Sequence, residues 1–232
     1  MMGIAEQLIT EHLDVWTSAV KGKHSAGRGS NIKFELYGMQ KLRGLIIDLA
    51  VMGKLVPQDP EDKQLLNSAV DEAHTSNPEI TAPFEIPRSW SWSHLKQLAN
   101  INGGFAFKSR NYNSDGTRVV RISDFDEDGF KGGKIVRHAF SPELEKFRLL
   151  EGDILIAMTG GTVGKSFHVK SLNEPMVVNQ RVATIRASRA ITSHFLHIAI
   201  QSKGIQEEIN KAKNSTNDNI SMKLINSFLV PL

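Results

Sequence analysis

Apolar residues recur with a helical period along the first third of the chain. They return at three- to five-residue steps within residues 4–20, and a second, longer set follows within residues 33–52. This spacing predicts two amphipathic helices, the second ending at Gly53, with Pro57 soon after it. A weaker set predicts a third helix over residues 62–74. Residues 21–31 contain Gly, Ser and Lys with almost no apolar residue, so they predict a loop.

The pattern changes near residue 90. A polar segment with three prolines, residues 75–89, predicts a linker, and we place a domain boundary there, between a helical segment (1–80) and a second domain (81–232). Short apolar runs separated by Gly, Asn and Asp then predict strands over residues 118–122, 134–137, 153–158, 166–169 and 182–186. A helix over 192–211 and a polar loop over 213–219 follow. The predicted fold class is α+β, a helical N-terminal segment followed by a mostly β domain with flanking helices.

Composition excludes several classes of protein. The 232 residues are 40% hydrophobic and 23% charged, which is typical of a globular chain and not of a wholly disordered one. The absence of cysteine excludes disulfides, thiolate metal sites and a thiol nucleophile. No apolar run reaches the roughly 18 residues of a membrane span, and the first residues do not form a signal peptide. We therefore expect a cytoplasmic protein with no membrane contact.

Charge is distributed unevenly along the chain. Residues 1–90 carry nine Lys and Arg against twelve Asp and Glu, whereas residues 91–232 carry the other 19 and 13. The second part is therefore the basic one, and a basic domain favours a polyanionic partner such as nucleic acid.

The segment DILIAMTGGTVGKS, residues 153–166, resembles a phosphate-binding loop. Such a loop needs a glycine at the position of Thr159, and it must open a helix. The residues that follow, Phe167 to Val169, instead predict a strand. We therefore predict a strand–loop–strand hairpin that exposes backbone amides and Lys165 to a phosphodiester backbone. A nucleotide-binding enzyme that uses residues 160–166 is the alternative.

No other catalytic arrangement stands out. The acidic residues 59–63 lie in a polar segment without a strand to present them, and the acidic run 124–128 lacks the final glutamate of a calcium-binding loop. The eight histidines lack the spacing of metal ligands, and no set of nucleophile, histidine and acid is evident. We expect no catalytic residue, metal or cofactor in this chain.

Binding chemistry remains. Polar and basic residues crowd the loops of the second domain, where Asn, Gln and Arg can read base edges while Lys, Ser, Thr and backbone amides hold phosphates. The predicted DNA-binding residues are Lys108, Ser109, Arg110, Arg118, Arg121, Thr159, Gly160, Thr162, Lys165, Asn179, Gln180, Arg181, Lys213, Asn214, Thr216 and Asn219.

The order of several short strings resembles the N-terminal half of the specificity subunit of type I restriction–modification systems. The strings are HL at 12–13 with Trp16 and Ala19, GRG at 27–29, YG and KLR within 37–43, LAVMGKLVPQD at 49–59, PRSWSW at 87–92, GGFAFKS at 103–109, GDILI at 152–156 with GTVGK after it, NQR at 179–181, NIS at 219–221 and VPL at 230–232. No single string is decisive, but the ordered set is specific.

The resemblance implies one target recognition domain that reads half of a split target in double-stranded DNA. It implies no catalysis by this chain, since modification subunits that bind S-adenosylmethionine methylate adenine and a restriction subunit hydrolyses ATP. Whole subunits of this family carry two recognition domains, so we expect a fragment or a short half-subunit. The apolar helices over 4–20 and 33–52 are candidates for packing on a modification subunit or on the chain's own second domain.

Overall fold

The computed structural model describes residues 9–24, 32–59, 82–215 and 218–232. Contacts within the chain divide it into two compact units that meet in sequence between Ser91 and Trp92. The predicted helix over 62–74, the first part of the predicted linker and the predicted boundary at residue 80 lie outside the described residues. The division into domains 1–80 and 81–232 therefore stays a prediction.

The described part of the first unit includes a short helix, a hairpin and a longer helix. Its elements are α1 (Leu13–Ser18), β1 (Lys21–His24), β2 (Ile32–Glu35) and α2 (Tyr37–Val51). Strands β1 and β2 are antiparallel, with Lys21 opposite Glu35. The predictions of a loop from residue 21 and of a helix from residue 33 were wrong at these positions. Residues 32–35 alternate apolar and charged types, and pairing with β1 makes that two-residue period a strand.

Helix α2 ends where the sequence predicts. Gly53 has φ +66°, the left-handed conformation that a residue with a side chain rarely adopts. The backbone N–H of Lys54 donates to the carbonyl of Leu49 at 2.8 Å and so satisfies one of the last helical carbonyls. This is the glycine-terminated helix end that the pattern indicates.

In its described residues, the second unit contains three sheets. Their strands are β3 (Trp92–His94), β4 (Ala99–Gly103), β5 (Thr117–Val120), β6 (Arg137–His138), β7 (Ile154–Ala157), β8 (Ser166–His168), β9 (Met176–Val178), β10 (Val182–Ala187) and β11 (Leu229–Pro231). One sheet is antiparallel, in the order β4-β10-β7-β8. The second has the order β6-β5-β9, with β5 and β9 parallel. Strands β11 and β3 form the third.

The α-helices found in the described part of this unit are α3 (Leu95–Leu98), α4 (Ser193–Gln201), α5 (Lys203–Ser215) and α6 (Met222–Ser227). The helix predicted over 192–211 is thus two helices, because Ser202 leaves the helical conformation and its hydroxyl donates to the carbonyl of Ala199 at 2.7 Å. Helix α5 continues to Ser215, so the prediction of a loop from residue 213 was wrong over residues 213–215. Among the residues that the structure describes, no helix has the length and apolar character that crossing a membrane requires.

The α+β class is confirmed, and four of the five predicted strands lie within two residues of their predicted bounds. The strand predicted over 134–137 is wrong, since pairing starts at Arg137. The sequence analysis missed β4, whose Asn100, Asn102 and Gly103 disfavour strands, and β9, which has only three residues. Both acquire their structure from neighbours, because β4 pairs with β10 and β9 pairs with β5.

Two apolar clusters fix the sheet that contains β5 and β9. Val120 and Val178 belong to one cluster, which also takes residues from β7 and β10. Val119 and Val177 belong to the other, which includes Phe107 and Leu144. Neighbouring residues of a strand point to opposite faces, so β9 is held on both faces immediately before residue 179.

Candidate nucleic-acid interface

The predicted hairpin is confirmed at residues 154–168. Strands β7 and β8 are antiparallel, with Ile154 opposite His168 and Ile156 opposite Ser166. The loop between them contains a turn of 3-10 helix at Gly160–Thr162 and closes through a hydrogen bond from the N–H of Gly164 to the carbonyl of Ala157 at 3.0 Å. A strand follows the loop where a phosphate-binding loop would open a helix. The nucleotide-binding alternative therefore lacks its required geometry.

A second loop, residues 179–181, connects β9 to β10 beside the hairpin. The N–H of Val182 donates to the carbonyl of Asn179 at 2.9 Å, which closes a tight turn. The N–H of Met158 donates to the carbonyl of Arg181, also at 2.9 Å. This bond joins the turn to the first residue of the hairpin loop.

A third segment crosses the turn at Gly104. The N–H of Phe105 donates to the carbonyl of Val178 at 2.8 Å, and the N–H of Gln180 donates to the carbonyl of Phe105 at 2.9 Å. The chain then continues through Phe107 into a 3-10 turn at Ser109–Asn111. Residues 108–111 are therefore held near the same turn.

The fourth segment lies on the other side of the hairpin loop. Thr159 and Asn219 form an antiparallel bridge. The N–H of Gly160 donates to the carbonyl of Asp218 at 2.8 Å. The N–H of Ile220 donates to the carbonyl of Met158 at 2.9 Å. Four segments distant in sequence thus form one continuous surface, residues 104–112, 158–165, 179–181 and 218–220, which we call the loop surface.

Most of the predicted binding residues lie on or next to the loop surface. Those with exposed side chains are Lys108, Ser109, Arg110, Lys165, Gln180, Arg181, Asn214 and Asn219. Thr159, Gly160, Thr162, Asn179 and Lys213 are half-buried, and Lys213 pairs with Asp218 at 3.8 Å. Thr216 lies outside the described residues. Ion pairs of the described residues involve none of Lys108, Arg110, Lys165 and Arg181.

Arg118 and Arg121 have different surroundings from the rest. Arg118 is only 8% exposed, and its Nη1 lies 3.6 Å from Oε1 of Glu174. Its guanidinium also stands 5.3 Å from the centre of the Phe130 ring. Arg121 donates from Nε and Nη2 to the two carboxylate oxygens of Asp124, each at 2.8 Å. That hydrogen-bonded carboxylate raises the pKa of Arg121. Because both side chains are occupied inside the fold, we leave them out of the loop surface.

Gly104 is a site residue that the sequence analysis did not select. A Cβ atom on it would lie 2.2 Å from the carbonyl oxygen of Asn179 and 2.3 Å from that of Val178. These are backbone atoms, so no side-chain movement would relieve the clash. The signal available in the sequence was the Gly103-Gly104 pair beside a strand, since glycine there marks a close approach of two backbones.

Three histidines lie close together where helix α4 packs against strand β8. The His168 ring lies 4.4 Å from the His194 ring and 5.9 Å from the His197 ring, and its Nε2 is 2.9 Å from the Ser193 hydroxyl. Burial lowers the pKa of His168, and His194 and Lys170 lower it further. Across the described residues, no group of three or more His, Cys, Asp or Glu is arranged to hold a metal ion. These rings pack α4 against β8.

Residues 87–232 match the protein family described as "Type I restriction modification DNA specificity domain". The chain belongs to this family. The match begins at Pro87, the first residue of one of the strings that carried the resemblance. The matched residues include all four segments of the loop surface.

Curated relatives include two specificity subunits from Escherichia coli. The type I restriction enzyme EcoEI subunit is 45% identical over 114 residues and the EcoAI subunit 42% identical over 114 residues, each match covering 42% of this chain and 19% of the relative. The MjaVIII specificity subunit of Methanocaldococcus jannaschii is 31% identical over 138 residues, which are 55% of this chain and 31% of that protein. The chain thus matches less than a third of the length of these relatives.

Solved structures resemble the fold. One, described as "Structural basis underlying complex assembly and conformational transition of the type I R-M system", gives a TM-score of 0.52 at 16% identity and covers 84% of this chain and 43% of that one. The HsdS subunit from Thermoanaerobacter tengcongensis gives 0.49 at 20% identity, covering 66% and 35%. The first of these agrees with the fold described above.

Proposed function

We propose that the second unit is a target recognition domain that reads one half of a bipartite sequence in double-stranded DNA. The observation that carries the proposal is the loop surface, where four separate segments bring exposed Lys, Arg, Gln and Asn side chains together. Membership of the specificity-domain family supports it. The chain itself is non-catalytic in this proposal and acts in the cytoplasm, where its DNA substrate lies.

The loop surface offers the two kinds of contact that recognition needs. Lys108, Arg110 and Lys165 are exposed cations on three-residue or hairpin turns, and they suit phosphates, which fix the position of a protein on the duplex. Exposed amide and guanidinium groups suit base edges in the major groove. A half-site of three or four base pairs gives modest affinity, because each bidentate pair contributes only about 1–3 kcal/mol of discrimination.

Methylation and cleavage in this proposal belong to partner subunits, the modification subunits and the restriction subunit of a type I enzyme. The first unit supports a role in assembly. Of the ten large apolar side chains that are exposed in the described part of the chain, seven belong to it: Leu13, Val15, Val20, Leu36, Tyr37, Met39 and Val56. A contiguous apolar patch favours a protein interface, and we propose that these side chains form one that packs on a modification subunit.

The test is selection from a randomised duplex pool at low and high salt. The full chain is purified alone and after co-expression with a type I modification subunit from the same genome. We expect a stable complex that enriches one short sequence, with affinity that falls as salt rises because phosphate contacts release counterions. ATP titration serves as the control for the nucleotide-binding alternative and should give no binding. Binding that selects no sequence, or that ignores salt, would contradict the proposal.

A further inference from the structure

The three polar residues of the turn at 179–181 do not share one role. Asn179 is half-buried, and its side-chain oxygen accepts a hydrogen bond from the N–H of Arg181 at 3.2 Å. Its side-chain nitrogen lies 3.5 Å from the Tyr112 hydroxyl, at the limit of a hydrogen bond. An asparagine that reads adenine must present both its oxygen and its nitrogen to the base. The Asn179 oxygen is engaged inside the fold and the side chain is half-buried, so Asn179 is less available for such a contact than the exposed side chains of Gln180 and Arg181.

The backbone of the turn is held throughout. The N–H of Asn179 donates to the carbonyl of Val120 at 2.9 Å, in addition to the bonds that engage Val178, Gln180, Arg181 and Val182. Together these bonds use the turn's N–H groups from residue 179 to 182 and the carbonyls of 178, 179 and 181. The conformation of the turn is therefore fixed by three neighbouring segments and by the Asn179 side chain, and not by the side chains of Gln180 and Arg181.

Two side chains of the turn point into solvent from this fixed backbone. Gln180 and Arg181 are both exposed, and neither side chain has a hydrogen-bond or ion-pair partner among the described residues. A planar guanidinium can contact guanine through two hydrogen bonds, and a side-chain amide can do the same with adenine. A rigid support limits the conformational entropy that the turn loses on binding to that of the two side chains.

Gly104 allows the backbone of residues 103–105 to lie close to the backbone of the turn. Its missing side chain allows residues 103–105 to cross within van der Waals distance of the Asn179 backbone, where a Cβ would lie 2.2 Å from the Asn179 oxygen. Any other residue must push the turn away from β4, and the bonds that connect Phe105 with Val178 and Gln180 would break.

We propose that Gly104 and Asn179 are positioning residues for the turn, and that Gln180 and Arg181 are specificity-determining residues that contact purine edges of the half-site. This inference rests on the proposed function, because it assigns roles within the same DNA surface. It divides the Asn-Gln-Arg string into one residue that shapes the turn and two that read the target.

The first experiment compares Arg181→Ala with Lys165→Ala. Each removes one exposed cation from the loop surface, so the pair is matched in charge. Both variants and the wild-type chain are tested on the duplex selected by the wild type and on duplexes with single substitutions at each position. We expect Arg181→Ala to lose preference at one base pair by roughly 10- to 100-fold, while Lys165→Ala weakens all duplexes equally and lowers the salt slope by about one.

Gln180→Ala should lose preference at a different, neighbouring base pair, with no change in thermal stability. If Arg181→Ala weakens every duplex equally, as Lys165→Ala does, Arg181 is a phosphate contact and the inference is wrong. If the wild-type chain selects no sequence at all, the proposed function fails instead. The two failures are therefore distinguishable.

The second experiment tests positioning at Asn179. Asn179→Ala removes the oxygen that accepts from the N–H of Arg181, and we expect it to reduce preference at both positions read by Gln180 and Arg181. Asn179→Ser keeps a side-chain oxygen for a similar turn and should restore most of that preference. Loss of preference at a third position, with no rescue by serine, would mean that Asn179 reads a base itself.

Gly104→Ala completes the set. We expect the same combined loss of preference as in Asn179→Ala, with a lower melting temperature. If this variant does not fold, the Asn179 pair still decides the inference. A folded Gly104→Ala protein with unchanged preference at every base pair would overturn the role assigned to Gly104.

Discussion

Two regions of the second unit carry arginines in opposite surroundings. At the end of β5 and in β10, Arg121 and Arg186 are each held by a carboxylate through two hydrogen bonds, from Nε and from Nη2. In the turn between β9 and β10, Arg181 has no such partner among the described residues and is exposed. The same side chain is thus a fixed part of the fold in one region and an available donor in the other. The carboxylate beside it makes the difference.

The largest expected effect comes from removing a carboxylate of the first region. Asp153 is fully buried, accepts from Nε and Nη2 of Arg186 at 2.7 and 2.8 Å, and accepts from the N–H of Leu150 at 2.7 Å. Asp153→Ala should lower the free energy of unfolding by about 3 kcal/mol, because three hydrogen bonds to one charged group are lost. Urea unfolding measures this change.

The control for Asp153→Ala is Glu207→Ala on α5, where both partners of the Lys203–Glu207 pair are exposed. That variant should change stability by less than about 0.5 kcal/mol. Equal effects of the two substitutions would show that the buried carboxylate does not anchor the turn at residues 148–153. The comparison between the two regions would then lose its physical basis.

An intermediate effect separates the two regions directly. Arg121→Ala should cost about 1–2 kcal/mol of stability, because Asp124 loses its partner and the Lys134 carbonyl loses a donor at 2.8 Å. It should leave DNA preference unchanged. Arg181→Ala should do the reverse, since its exposed side chain has no hydrogen-bond or ion-pair partner among the described residues. Chemical unfolding and duplex binding are measured on both purified variants, Arg121→Ala and Arg181→Ala. A loss of base preference in Arg121→Ala would mean that Arg121 contacts DNA.

The smallest expected effect is a dependence of the free energy of unfolding on pH that arises from His168. Burial, His194 and Lys170 lower the pKa of His168 from its usual 6.5. The unfolded chain therefore binds a proton at a higher pH than the folded one, so this contribution to stability is complete above about pH 6.5 and is lost as the pH falls through the folded pKa. Arginine stays charged over this range, so neither arginine region follows this titration.

Melting temperatures of the wild type and of His168→Asn, measured from pH 7.5 to 5.5, test the assignment. The wild type should lose more stability than the variant at the acidic end. Identical slopes would mean that groups other than His168 account for the pH dependence.

Local signals carried most of what the sequence could predict. The hairpin at residues 154–168 and the end of α2 depend on residues within a short stretch, and both predictions are confirmed. The pairing of Arg118 with Glu174 joins residues that are 56 positions apart, and no local pattern indicates it. The role of Gly104 is also a tertiary one, because the backbone that it must not touch belongs to residues 178 and 179. The sequence therefore indicates which basic residues lie in loops, but it does not show which of their side chains are engaged in ion pairs within the fold.

The fully bonded turn between β9 and β10 has a consequence for how such a protein can change over time. Its conformation depends on Gly104, Asn179 and the surrounding backbone, whereas the side chains at 180 and 181 make no hydrogen bond or ion pair among the described residues. Under the assignment that we propose, substitutions at those two positions would change the target and leave the scaffold in place. For the same reason, positions 180 and 181 are where a designer would place a small randomised library to obtain altered DNA preference.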